Sequence, residues 1–151
     1  MTLKKSAHPL SFSFYLGYYG ILQSAHLLSL VRAGYLYLTW GSMPFPAPPP
    51  DPGWQAQVVP FLLAMGAVDG AAALIGLLTA FQYFVRGNLL LKPLLVSLLI
   101  AVTSAGIFAV GTIFSGAWAA HPLQYLLLGV LFSPLFPLLY GVYQAVNAPP
   151  E

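Results

Sequence analysis

Of the 3 carboxylate side chains in this chain, Asp69 alone stands inside a long apolar run, Val58 to Val85; Asp51 and Glu151 lie outside such runs. A carboxylate at the centre of a bilayer costs roughly 2.5 to 3.5 kcal/mol on insertion scales, so it needs a partner, a proton or water. His26, within the first apolar run, is the imidazole at comparable depth. Such a pair can hold a polar group of a ligand, pass a proton, or act as acid and base on a lipid-like substrate. No second acid is present for paired-carboxylate chemistry, and no nucleophile elbow, phosphate-cradling glycine loop or His-Glu metal motif occurs. No catalytic residue is assigned. His8 precedes the first apolar run and His121 falls between two others, so bis-histidine metal or haem ligation has no second ring at depth. No metal or cofactor is expected.

The elements that position these groups follow from composition. Hydrophobic residues make up 59% of the chain and charged ones 5%. Ordinary soluble domains carry about 25% charged residues, so this is an integral membrane profile. The net charge of +2 comes from too few groups for a nucleic-acid footprint. Cysteine is absent, which excludes disulfides, thiolate sites and lipidated thiols.

Four apolar segments span roughly 12–38, 58–85, 93–115 and 123–146, each long enough to cross about 30 Å of hydrocarbon as a helix. The expectation is one all-α membrane domain over 1–151, a four-helix bundle of up-down-up-down topology. The first segment is too long for a cleavable signal region and is read as a permanent span. The Pro-rich connection 41–57 should form a stiff extended strap. The second connection, at Arg86-Gly87-Asn88, and the third, near Ala117 to Pro122, read as tight hairpins.

Lys4 and Lys5 precede the first span, and Arg86 and Lys92 flank the second connection, whereas the strap and the third connection carry no Lys or Arg. Both termini should therefore be cytoplasmic, in a cell (plasma) membrane. Trp40, Trp54 and Trp118 fall at the opposite boundary and Tyr83 and Tyr143 at the inner one, as an aromatic belt requires.

Helical geometry groups the polar residues. On the first helix Tyr15, Tyr19, Ala33 and Tyr37 lie within about 20° of His26, with Gln23 and Ser29 to either side. The Asp69 stripe contains Gly66, Ala72, Ala73, Gly76 and Ala80, small residues that admit a close neighbour. The third helix presents Ser97, Ala101, Ser104, Gly111 and Ser115. His26, Asp69, Gln23, Tyr19 and Ser104 are thus the candidates for binding a ligand or proton. Arg32, about nine ångströms beyond His26 by helical rise, is read as structural, either pairing with Asp69 or reaching to the headgroups. Pro134 and Pro137 should bend the fourth helix and deprive the carbonyls of Val130 and Ser133 of their usual partners.

Three functions fit these residues. The first is a small polytopic protein that binds or moves a hydrophobic molecule or proton through a midplane site. The second is a non-catalytic accessory subunit of a larger membrane complex, and the third is the acid/base enzyme. The bilayer is the expected partner, with a hydrophobic ligand or other membrane subunits beside it.

Overall fold

The computed structural model describes the backbone of residues 2–4, 10–41, 52–115 and 122–148. Helices α1 (Leu10–Trp40), α2 (Pro52–Arg86), α3 (Leu91–Ser115), α4 (Pro122–Phe132) and α5 (Leu135–Asn147) follow in order, with two short strands, β1 (Thr2–Lys4) and β2 (Asn88–Leu90). The strap core 42–51, the third connection, and the side chains of Lys4, Lys5, His8, Trp54, Trp118 and His121 lie outside the described residues.

The helices coincide with the expected segments, with one boundary corrected. The strap was expected to run to Gln57, but α2 already begins at Pro52. Proline suits the first helical turn because its missing amide proton has no intrahelical use there. Three stretches are long and apolar enough to cross a membrane: Leu63–Arg86, Leu91–Val110 and Leu126–Asn147. α1 has the length, at 31 residues. Gln23, Ser24, His26, Ser29 and Arg32 dilute its hydropathy, and it is not among the three. The exterior is apolar: Ile21, Leu28, Leu78, Val130 and Tyr140 are all exposed, as lipid-facing side chains are. The findings support a helical membrane protein.

Packing is concentrated toward one end of the helices. Leu16 and Tyr19 of α1, Ala80 and Tyr83 of α2, Leu94 and Leu98 of α3, and Leu135, Leu138 and Val142 of α5 form one buried cluster together with Leu89 and Leu91. Acyl chains are as apolar as leucine, so this core gains from dispersion and interhelical hydrogen bonds rather than from escape from water. The polar contacts include the Ser13 hydroxyl with the Tyr83 hydroxyl at 2.7 Å. Phe12 packs edge-on against the Tyr83 ring at 6.0 Å.

The link between α2 and α3 is not the bare hairpin expected. Gly87, with φ of +69°, ends α2 by donating its amide to the Tyr83 carbonyl at 3.1 Å, a left-handed cap suited to glycine. β2 follows and pairs antiparallel with β1, Thr2 opposite Leu90 and Lys4 opposite Asn88. This ribbon closes the packed end, and Leu89 beneath it is fully buried.

The fourth apolar segment is broken where the two prolines require it. Ser133 and Pro134 form a turn between α4 and α5. The Ser133 hydroxyl donates to the Val130 carbonyl at 2.9 Å, and the Phe136 amide reaches the Ser133 carbonyl at 3.3 Å. Both carbonyls expected to lose their partners are therefore satisfied locally and are not offered to a ligand. The carbonyl used by another helix is that of Leu131, which accepts the Tyr18 hydroxyl at 2.7 Å. α4 otherwise stands off the core: Leu123, Leu126, Leu127, Val130 and Leu131 are exposed.

Candidate functional site

The packed end passes into a polar network on α1. Tyr19 is fully buried and its hydroxyl bonds to the Ser97 hydroxyl of α3. Ser97 in turn donates to the Ala72 carbonyl of α2. A serine hydroxyl has one proton, and Ser97 uses it on Ala72, so the Tyr19 phenol is the donor in their shared bond. Gln23, one helical turn along α1, is the next buried polar side chain. The chain Tyr19, Ser97, Ala72 ties three helices at one level. Gly76 makes the arrangement possible, since a β-carbon there would lie 2.8 Å from the Tyr19 hydroxyl.

Beyond this network the helices diverge and leave a half-open cavity of about 710 Å³. α1 lines it with Gln23, His26 and Arg32, α2 with Met65 and Asp69, α3 with Ser104 and Phe108, and α4 with Leu131 and Phe132. Small residues keep it open, namely Ala25, Ala33, Gly66, Ala101 and Ala105. Pockets for drug-sized molecules occupy about 300 to 1,000 Å³, mostly apolar with a few convergent polar groups. This cavity has that size and that character.

Of the five candidates from sequence, four line the cavity: Gln23, His26, Asp69 and Ser104. Tyr19 lies behind Gln23 in the network instead. His26 Nε2 stands 3.5 Å from Asp69 Oδ2, longer than a close hydrogen bond. The Asp69 side chain is 13% exposed and that of His26 41%. The carboxylate is thus largely covered by protein while its imidazole partner faces the open space. Ser104 is 7% exposed and has no hydrogen-bond partner among the described residues, even though other serines of the chain bond to a preceding helical carbonyl. The pairing weighed for Asp69 with Arg32 is not formed among the described residues, nor is a hydrogen bond between Asp69 and Ser104. Arg32 is exposed and borders the cavity mouth.

Sequence reasoning missed the role of Ser97. It stood on the small-residue stripe of the third helix, but serine is too common as packing glue to mark it. The cue available was its registry with Gly76, visible only once the pairing of α2 and α3 is known. Phe108, Phe132 and Met65 were likewise unmarked, being apolar residues in apolar runs. Among the described residues no group of three or more His, Cys, Asp or Glu converges as a metal site would require. The arrangement can cover an apolar body and hydrogen-bond a polar group at its closed end. Compared with known proteins, the chain matches no family model, no curated protein and no solved structure.

Proposed function

We propose that this protein is a four-span membrane protein that binds a hydrophobic small molecule in the cavity between α1, α2, α3 and α4. The observation that carries this reading is the cavity itself, about 710 Å³ and half-open, with His26, Asp69, Gln23 and Ser104 gathered in an otherwise apolar lining. Beneath it the buried cluster and the ribbon close the other end, which supports a blind pocket over a through-going path. In this reading α1 crosses the membrane with its polar face turned to the cavity, which removes the cost of exposing those groups to lipid. The contacts Ser13 with Tyr83 and His26 with Asp69 support antiparallel α1 and α2, and with them an up-down-up-down order. The cation distribution supports cytoplasmic termini in a plasma membrane.

Native mass spectrometry of the full chain released gently from its own membrane tests the reading. A lipophilic adduct is expected on the wild type and is lost when Ala105→Phe fills the cavity, with helicity by circular dichroism unchanged. An adduct-free wild type, or an adduct indifferent to Ala105→Phe, removes the proposal. The exposed apolar face of α4 favours a second reading, an accessory subunit whose partner helix packs there. Recovery of the chain only as a monomer after mild solubilisation counts against that second reading.

A further inference from the structure

Resting on the reading of the cavity as a ligand pocket, we infer that its occupant is an uncharged lipoquinone: a flat ring bearing carbonyl oxygens, with an apolar tail. Charge gives the first constraint. With His26 neutral the charges of the lining, Arg32 and Asp69, cancel, so a neutral ligand leaves no unbalanced charge at membrane depth. Hydrogen-bonding capacity gives the second. Ser104, with less than a tenth of its surface exposed and no partner among the described residues, offers a hydroxyl proton. Arg32 offers guanidinium N–H groups engaged by no acceptor among the described residues, and a guanidinium cannot accept. Asp69 has His26 facing it at 3.5 Å. The lining groups without a partner among the described residues, Ser104 and Arg32, are thus donors, and they call for a ligand that carries acceptors.

Shape supplies the third constraint. Phe108 of α3 and Phe132 of α4 border the same space, giving aromatic surfaces suited to a planar ring. The half-open form leaves an exit for an isoprenoid tail toward the acyl chains. The exposed α4 residues Leu127, Val130 and Leu131 present apolar side chains to that tail. Ester lipids share the carbonyl acceptors but lack the flat ring, and anionic phospholipids bring an uncompensated charge.

The test uses the full chain in phosphatidylcholine nanodiscs, titrated with a short-tailed benzoquinone, with dioleoylglycerol, and with dioleoylphosphatidylglycerol, binding being read by native mass spectrometry. The benzoquinone is expected to bind at least tenfold more tightly than either lipid. Ser104→Ala should weaken it about tenfold, as loss of one donor in a covered site does, and Arg32→Gln similarly. Circular dichroism confirms that both variants fold. Preferential binding of either lipid, with loss in Ala105→Phe, overturns the quinone assignment and leaves the pocket reading standing. Quinone binding unaltered by Ser104→Ala and Arg32→Gln also overturns the assignment. Binding of none of the three probes, with no native adduct, overturns both.

Discussion

Gly76 of α2 lies directly against Tyr19 of α1: a β-carbon on the glycine would sit 2.8 Å from both Cε1 and the hydroxyl of the tyrosine, and 2.7 Å from the Ser97 hydroxyl. Three helices thus meet without room for a methyl group at the point where a buried phenol, a serine and a helix carbonyl are linked. Gly76→Ala must displace that network, because real side chains do not come so close. A loss of about 1 to 3 kcal/mol is expected from overpacking. Gly106→Ala provides the contrast, since nothing lies within 4 Å of its added methyl. It should be neutral or stabilising by up to about 1 kcal/mol through helix propensity. Thermal unfolding of the two variants in the same detergent checks the difference in sign.

The donor order in the network predicts an asymmetry between its two side chains. Tyr19→Phe removes the phenol but leaves Ser97 bonded to the Ala72 carbonyl. Ser97→Ala leaves a buried phenol with its proton unplaced, which costs about 1 to 3 kcal/mol. Ser97→Ala should therefore be the more damaging change, and adding Tyr19→Phe should recover part of the loss. Equal single-variant losses that simply add in the double variant would contradict the order.

His26 and Asp69 should behave as a coupled pair in stability. Removing His26 strands a carboxylate whose side chain is 13% exposed. His26→Ala alone should lower stability more than His26→Ala combined with Asp69→Asn, because the second change removes the stranded charge. Unfolding by sodium dodecyl sulfate titration measures both. A double variant weaker than the single one would show that Asp69 has another partner.

Tyr18 is the one side chain of α1 recorded as bonding to the α4 backbone among the described residues, through the Leu131 carbonyl at 2.7 Å. Tyr18→Phe should release α4 at the Ser133-Pro134 turn with little change in overall stability, since interhelical hydrogen bonds in membranes average about 0.6 kcal/mol. Hydrogen exchange should rise in 126–132 and stay unchanged in 135–147. A uniform rise through both helices would indicate that the turn does not separate them mechanically.

Much of the fold was legible because lipid imposes strong rules. Long apolar runs must be helices, since backbone groups find no other partners in hydrocarbon. Pro134 and Pro137 interrupt a run in a way that cannot be hidden. The ribbon was not legible: Leu89-Leu90-Leu91 reads locally as the start of a helix, and only the distant partner strand makes Asn88–Leu90 extended. α1 is the least apolar of the four segments in the sequence and in the structure alike, because Gln23, His26 and Arg32 dilute one face of it. At the site, periodicity and depth put His26 and Asp69 at one level, and their side chains stand 3.5 Å apart. The split of Tyr19 from the cavity was not readable, since it depends on how closely Gly76 admits the ring.

The pairing of Thr2 with Leu90 has a consequence for biogenesis. During synthesis β1 emerges long before β2, the segment that must receive it, with α1 and α2 in between. β1 is therefore left unpaired until α2 is complete, and the ribbon closes as a late latch. A bulky fusion ahead of Thr2 should hinder that latch, whereas one placed after Asn147 should not.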